Sequence, residues 1–417
     1  MLVLVLAGGS GCGRETALSV PGGAGGEPGR SPGGVTDGSD GGAIDSRDAA
    51  PLDTSLISGA PDASAAPDSS AAKPQSVAWT NHTQGTLASG QEWLAVASDA
   101  SGEHLVATSS TRFPPGGLVG GFWTSSDGGS TWTNRGGNDI GSVASNSTGT
   151  VLIGGGGCNG GAGLWELTNS GATWTVMRAS PGGISVASDA TGTHLVAGGG
   201  GLRSGSTNGD IWTSSNSGAS WTDQTASGPA HDQAWTSIAS SSSGTKLVAL
   251  SGYCGAPNGD IWTSTDSGAT WINRTLTAPV HEARLISVAS DSSGMNLVAV
   301  GSSIWTSADA GLTWTRQIAP SDTSDSDVWV SVASDATGKH LIAATFGDPG
   351  TGGSAGGGGG FRPERAGNIF ISTNAGVDWT NETAGTAAAD QDWVGVASDS
   401  LGVHFVAIAS FGDIWTN

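Results

Sequence analysis

Two histidine–carboxylate pairs have the residue types and spacing best suited to metal binding. His231 and Asp232 lie in the segment AHDQAW, and His281 and Glu282 occur fifty residues later in VHEARL. Imidazole nitrogens and carboxylate oxygens are common ligands of divalent metals. Convergence of the two segments would bring together a full ligand set. If the two segments do not converge, these side chains are polar loop residues in solvent. Because this second interpretation is simpler, the sequence assigns neither a metal nor a cofactor.

A second candidate site consists of four tryptophans that each closely follow a carboxylate. Indole rings beside acidic groups would suit a platform for a sugar or another polyhydroxy ligand. The alternative is that the rings pack inside the fold, as large aromatic side chains commonly do. The candidate ligand-binding residues are Glu92 with Trp93, Asp232 with Trp235, Asp327 with Trp329, and Asp392 with Trp393.

The elements that must position these residues form an internal repeat. A segment such as SVASDATGTHLVA (185–197) occurs in seven copies, and all but the last continue into two further segments such as DIWTS and TWTNRG. Four short alternating segments separated by turn residues predict four strands. Four antiparallel strands per 40–50 residues are typical of one blade of a propeller. The sequence therefore predicts an all-β, seven-bladed β-propeller of four-stranded antiparallel blades.

An eight-residue turn joins the last two strands of most copies, as in SSDGGSTW (125–132). The aspartate can accept backbone N–H bonds and the glycine permits a positive φ, so the segment is predicted to be structural. This pattern resembles the Asp-box of propeller proteins such as sialidases, sortilin, xyloglucan-cleaving hydrolases and photosystem II assembly factors. The predicted box residues are Asp127, Asp266, Asp309, Asn216, Asn374, Trp132, Trp174, Trp221, Trp271, Trp314 and Trp379.

The last copy is one strand short of a blade, because the chain ends at GDIWTN (412–417). The missing strand resembles AWTNHT (78–83), which matches the fourth strands TWTNRG and TWINRT. An N-terminal strand that completes the last blade would close the ring and remove two open sheet edges. We therefore expect the last blade to contain strands from both ends of the propeller.

Charge, hydropathy and local composition indicate which classes of function and location the chain fits. The 417-residue chain has a formal net charge of −21, which disfavours binding to nucleic acid. No apolar run is long enough for a transmembrane helix. Residues 1–12 resemble a bacterial lipoprotein signal ending in Cys12, which predicts export and a lipid anchor in the cell envelope; a plain secretory signal and an extracellular product are the alternative. Residues 13–74 contain no aromatic residue and predict a disordered linker. The propeller occupies 75–417.

Topology predicts two unlike faces. The first-to-second-strand turns and the box turns form a turn face, whereas the variable loops and blade connections form a loop face. Cys158 and Cys254 lie on the loop face two blades apart, and whether they form a disulfide is left open. His104, His194, His340 and His404 share one repeat position and are predicted to be solvent-facing turn residues.

The resemblance implies two classes of function. Sialidase chemistry would need an arginine cluster and a Tyr–Glu pair, but the chain has one tyrosine, Tyr253. Xyloglucan hydrolases of this type place two aspartates between two propellers, and one propeller is predicted here. We therefore predict a monomeric, non-catalytic binding or scaffold propeller that takes a protein or carbohydrate on the loop face. A glycoside hydrolase or carbohydrate-binding protein is the alternative.

Overall fold

The computed structural model describes most of the predicted propeller and two residues before it. The described residues are 6–7, 77–110, 121–137, 140–156, 163–168, 173–178, 184–199, 209–252, 259–275, 280, 283–318, 328–346, 367–389 and 391–417. In this part of the chain, no helix has the length and apolarity needed to cross a membrane.

The described residues form antiparallel sheets that follow the predicted repeat, so the all-β propeller is confirmed. Two short strands precede the repeats: β1 (Leu6–Ala7), which pairs with the inner strand of blade 2, and β2 (Thr80–Asn81). Blade 1 contains β3 (Gln91–Ser98), β4 (Leu105–Ser109), β5 (Gly121–Ser125) and β6 (Thr133–Gly136). Blade 2 contains β7 (Ile140–Ser145), β8 (Leu152–Gly156), β9 (Leu164–Thr168) and β10 (Thr173–Arg178). Blade 3 contains β11 (Ile184–Ser188), β12 (Leu195–Gly199), β13 (Ile211–Ser214) and β14 (Thr222–Asp223).

The remaining blades repeat this arrangement. Blades 4 to 7 contain β15 (Trp235–Ser240), β16 (Leu247–Ser251), β17 (Asp260–Ser264) and β18 (Ile272–Asn273); β19 (Leu285–Ser290), β20 (Leu297–Gly301), β21 (Ile304–Ser307) and β22 (Thr315–Arg316); β23 (Val328–Ser334), β24 (Leu341–Phe346), β25 (Ile369–Ser372) and β26 (Thr380–Asn381); β27 (Trp393–Ser398), β28 (Phe405–Gly412) and β29 (Ile414–Thr416). Each inner strand contacts the inner strands of both neighbouring blades, and β27 contacts β3, which closes the ring.

A circle of backbone hydrogen bonds on the turn face also closes the ring. In each case a residue of one first-to-second-strand turn donates its N–H to a carbonyl of the next turn, at 2.9–3.1 Å. The bonds run from Ala100 to Ser147, Ser147 to Ala190, Ala190 to Ser242, Ser242 to Ser292, Ser292 to Ala336, Ala336 to Ser400, and Ser400 to Ala100. Seven bonds that return to their starting residue confirm seven blades.

Strand β2 completes blade 7 as the sequence predicts. Thr80 pairs with Thr416 and Asn81 with Trp415 across an antiparallel ladder. The buried hydroxyl of Thr83 accepts the Ile414 N–H at 2.9 Å and donates to the Asp413 carboxylate at 3.0 Å. Both ends of the propeller therefore meet in one sheet.

Serine side chains join successive blades inside the ring. The hydroxyl of Ser237 in blade 4 accepts the N–H of Val288 in blade 5 at 3.2 Å. The equivalent bonds are Val186 to Ser142, Ile238 to Ser185, Val332 to Ser287, and Val396 to Ser331. The neighbouring valines and alanines of the inner strands are buried. The SVAS segment therefore supplies both the apolar core and the polar contacts between blades.

The turn glycines allow the blades to pack closely on the turn face. Gly338 has a φ of +74°, which glycine adopts without steric cost. A Cβ at this position would lie 2.5 Å from the Cβ of Asn296 in the preceding blade. Glycine is thus required here both by the backbone conformation and by the neighbouring blade.

Candidate functional site

The four candidate tryptophans lie in the core, not on a surface. The exposed fraction is 1% for Trp93, 1% for Trp235, 2% for Trp329 and 0% for Trp393. Each ring packs against an aromatic ring of the third strand of its own blade, with centroids 5.0–6.4 Å apart. A sugar cannot stack on a ring that has no exposed face. The predicted platform is therefore wrong for these indoles, and the packing alternative describes them.

Two of the accompanying carboxylates lie at the junction of blades 7 and 1. Glu92 of β3 is the partner of Ser410 of β28, and the Ser410 N–H donates to the Asp392 carbonyl at 2.8 Å. Asp392 directly precedes β27, so Glu92 and Asp392 belong to the two segments that flank Ser410. Burial raises the pKa of the Asp392 carboxyl. Asp327 lies outside the described residues.

A compact cluster surrounds His231 on the loop face. The His231 Nδ1 lies 2.9 Å from Asp210 Oδ1, and its Nε2 lies 3.3 Å from Asp232 Oδ2. Asp210 directly precedes β13, whereas His231 and Asp232 belong to the connection from blade 3 to blade 4. The sequence pattern pairs His231 and Asp232 with His281 and Glu282, which lie outside the described residues. Asp210 is a third member of the cluster that this pattern does not predict.

The cluster carries excess negative charge. The hydrogen bond between Nδ1 and Asp210 is the main influence that raises the pKa of the His231 imidazole. Asp223 lies nearby; burial, followed by repulsion from the charge of Asp210, raises the pKa of its carboxyl, against the lowering effect of a backbone hydrogen bond from Thr225. A cation would offset the repulsion between Asp210 and Asp223, whereas at His231 it would compete with the proton that the raised pKa favours.

The box turns use their polar atoms internally. In blade 1, Asp127 accepts the Thr131 N–H at 2.9 Å and hydrogen bonds from the hydroxyls of Thr131 and Ser125. Asp266 and Asp309 accept the same bonds, and the Oδ1 atoms of Asn216 and Asn374 take the backbone and serine bonds. These side chains therefore stabilise turns and are not available for a reaction.

The three box aspartates have lowered pKa values. Partial burial is the largest single influence and acts to raise the pKa, but the hydrogen bonds from Thr and Ser together outweigh it. The box tryptophans occupy the start of the fourth strand, where Trp271 and Trp314 are buried and Trp132, Trp221 and Trp379 are half-buried. The side chain of Trp174 lies outside the described residues.

The shared histidine position serves the turns of the first two strands. The Nδ1 atoms of His104, His194 and His340 lie 2.8–2.9 Å from Asp99, Asp189 and Asp335, and the rings are 36–41% exposed. Each of the five box turns that the structure describes in full also donates a backbone N–H to the first turn of its blade, as Gly128 does to Glu103 at 3.0 Å. Both kinds of turn therefore lie on one face, as predicted.

Two clefts open on the turn face between neighbouring blades. One, of about 190 Å³, separates blades 3 and 4 beside Thr213 and Ala269. The other, of about 340 Å³, separates blades 5 and 6 and is lined by Thr306, Gln317 and Val377. Hydroxyl, amide and short apolar groups predominate in both, and the box aspartates at their edges are already hydrogen-bonded.

Comparison with known proteins supports the fold. No protein-family model and no curated protein matches the chain. Among solved structures, a GH74 enzyme from Niastella koreensis is similar, at 17% identity and a TM-score of 0.55 over 82% of this chain and 53% of that one. YCF48 bound to D1 peptide is similar at 14% identity and a TM-score of 0.53, over 81% of this chain and 95% of YCF48.

A third similar structure is the β-propeller domain of Swd1 from Myceliophteria thermophila. It has 12% identity and a TM-score of 0.52, with coverage of 78% of this chain and 96% of the domain. The chain spans about half the length of the GH74 enzyme (53%) and nearly all of the other two. At these identities the likenesses show that the chain is a β-propeller and leave its function open.

Several sequence predictions fall outside the described residues. They concern the signal-like segment with Cys12, the linker, the cysteines Cys158 and Cys254, and most of the long loops of the loop face. Ligand binding on that face, by a protein or a carbohydrate, stays a prediction.

Proposed function

We propose that this chain is an exported binding or scaffold propeller that catalyses no reaction and holds a protein partner. We further propose that it is a diverged member of the Asp-box propellers and that Cys12 attaches it to the cell envelope. The cleft between blades 5 and 6, which lies on the turn face and not on the loop face that the sequence predicts, carries the proposal. Its exposed Val377 can make a small apolar contact with a polypeptide. The Gln317 amide donates to the Thr306 hydroxyl at 2.6 Å, and the further bonding capacity of these groups suits a peptide backbone.

The similar structures are consistent with this proposal. YCF48, a propeller of nearly the same extent, is seen with a peptide bound. The acidic composition also favours a neutral or basic partner over an anionic one, because the summed field of the protein repels negative charge.

A glycoside hydrolase is the second candidate, and the junction of blades 7 and 1 is the observation that favours it. Inverting glycosidases need two carboxyl groups about 6.5–9.5 Å apart, one of them with a raised pKa so that it can donate a proton. Glu92 and Asp392 belong to the two segments that flank Ser410, and burial raises the pKa of the Asp392 carboxyl. Asp392 would be the acid and Glu92 the base.

One pair of assays separates the two candidates. Purified protein is incubated with xyloglucan and with sialyllactose, reducing ends and free sialic acid are measured, and the same protein is applied to a peptide array. We expect no sugar release and peptide binding that is weakened by Val377→Asp. Sugar release that is lost in Asp392→Asn and in Glu92→Gln would overturn the non-catalytic proposal and establish the hydrolase.

A further inference from the structure

We propose that Asp210, His231 and Asp232 form a binding site for a divalent transition-metal ion such as Zn²⁺. One ligand atom from each of the three side chains can be chosen so that all lie within 4.8 Å of one another. One imidazole with two carboxylates is a mixed set that suits borderline metals, whereas Ca²⁺ and Mg²⁺ prefer oxygen ligands alone.

The distances within the cluster are close to those of a coordinated metal. Zinc lies about 2.0–2.2 Å from nitrogen and oxygen ligands, so two neighbouring ligand atoms are separated by roughly 3–3.5 Å. With His231 Nδ1 as the ligand atom, its separation of 2.9 Å from Asp210 Oδ1 is of this size. The Asp232 carboxylate now lies beside Nε2 and would have to turn toward the same nitrogen, because the two nitrogens of one imidazole point apart and cannot bind one ion. The side chains of His231 and Asp232 are 42% and 44% exposed, so they can rotate the remaining small amount without repacking the core.

The structural task of Asp210 does not explain the other two residues. The Thr225 hydroxyl donates to Asp210 at 3.0 Å and accepts the Ile211 N–H at 2.9 Å, which ties the fourth strand to the start of the third. The same threonine bonds recur in other blades: Thr275 with Asp260, Thr383 with Asn368, and Thr83 with Asp413.

Blades 6 and 7 make this bond without a histidine at the equivalent position of the chain. Six residues after the threonine, blade 6 has Ala389 and blade 7 has Ser89, where blade 3 has His231. The strand-joining contact therefore forms without a histidine–carboxylate pair. His231 and Asp232 are an addition to the blade, and their contacts with Asp210 need a reason other than the fold.

The same addition occurs in the sequence of the next blade. His281 and Glu282 follow Asp260 at the same spacing, 21 and 22 residues, at which His231 and Asp232 follow Asp210. His281 and Glu282 lie outside the described residues, so the proposed site is defined on blade 3 alone. The order of one carboxylate, one imidazole and a second carboxylate nevertheless appears twice at a fixed spacing.

Isothermal titration calorimetry with ZnCl₂ on the full chain, after removal of metals with EDTA, tests the site. We expect Zn²⁺ binding to lose one equivalent in His231→Ala and to weaken at least tenfold in Asp232→Asn. His104→Ala is the matched control, because His104 also has its Nδ1 beside an aspartate, at 2.8 Å, and is similarly exposed. It should leave the zinc isotherm unchanged.

Two results with Zn²⁺ would overturn the proposal. One is an unchanged stoichiometry and affinity in His231→Ala whose melting temperature shows that it is folded. The other is no heat of binding in the wild-type protein with Zn²⁺ up to about 1 mM, which corresponds to less than ~4 kcal/mol of binding free energy. Binding of Ca²⁺ in preference to Zn²⁺ would also contradict it, because the imidazole would then play no part.

Discussion

Removing the closing strand should destabilise the propeller far more than removing the segment before it. Deletion of residues 75–86 takes away β2 and Thr83, whereas deletion of residues 13–74 leaves them in place. The first deletion leaves β29 as an open edge in blade 7, with unpaired N–H and C=O groups. It also removes Trp79, which packs against the core of the neighbouring strands.

The size of the effect follows from the contacts that are lost. Besides the two ladder pairs, the deleted segment makes hydrogen bonds to the rest of blade 7 and to blade 6. They are His82 N–H to Ile414, Asn81 and Thr83 to Asp413, Ile414 N–H to Thr83, and Val77 N–H to Glu382. At about 0.5–1.5 kcal/mol each, these bonds contribute roughly 3–7 kcal/mol. That is a large part of the ~5–15 kcal/mol by which native proteins are stable.

Differential scanning calorimetry of the two truncations and the full chain measures this directly. At roughly 2 °C per kcal/mol, the deletion of 75–86 should lower the melting temperature by on the order of 10 °C. The deletion of 13–74 should change it little. A synthetic peptide covering 76–86, added in excess, should restore part of the loss because it can occupy the open edge. Equal melting temperatures for the two truncations would refute the closure.

Three further predictions concern the contacts that repeat around the ring. Ser237→Ala leaves the buried N–H of Val288 without its acceptor and should cost about 1–3 kcal/mol in urea unfolding; an unchanged midpoint would contradict the role of the serines. Gly338→Ala forces a positive φ on alanine and a clash with Asn296, so it should cost more than ~1 kcal/mol, and a stable variant would show that the turn can rearrange. The box aspartates have lowered pKa values, so their stabilisation is complete above pH ~4 and is lost as the pH falls through their folded-state pKa. Replacing all three with asparagine should therefore make the melting temperature fall less steeply as the pH is lowered below ~4. An unchanged fall of the melting temperature would show that other groups cause the loss of stability in acid.

Much of the fold was predictable because each repeated contact is local in sequence. The box turn closes within eight residues, and the first-to-second-strand turn within six, so their hydrogen bonds are encoded in short motifs. The closing strand was predictable for a different reason. Residues 78–83 resemble the fourth strand of other blades, and Thr83 makes the same bonds to Asp413 that Thr275 makes to Asp260.

The position of the tryptophans was not predictable from alternation alone. In the four inner strands that contain a tryptophan, the ladder to the second strand shifts register just after it. The shifts lie between Trp93 and Ala95, Trp235 and Ser237, Trp329 and Ser331, and Trp393 and Gly395. Such a bulge places two residues opposite one and changes which side a side chain faces. The sequence shows the indole at the strand start, but the bulge turns it into the core.

Asp210 was missed because its contact with His231 crosses the whole outer half of a blade. The two residues are separated by the third strand, a box turn and the fourth strand, so no short motif contains both. One signal was present in the sequence: the aspartate of the GD pair before the third strand stands at a fixed distance from the histidine in two successive blades.

The junction of blades 7 and 1 is held by a backbone ladder and not by the serine bond that five other junctions use. Blades 2 to 6 each offer a serine hydroxyl to the next blade, whereas the same position is Ala95 in blade 1 and Gly395 in blade 7, and neither residue has a hydroxyl. Here β28 extends beyond its own blade and pairs with β3 of blade 1, at Ser410 with Glu92 and Gly412 with Gln91. A backbone ladder thus replaces a side-chain bond at the place where the two ends of the propeller meet. Because the ladder is formed by the main chain, substitutions at Glu92 can change the chemistry of this junction without opening the ring.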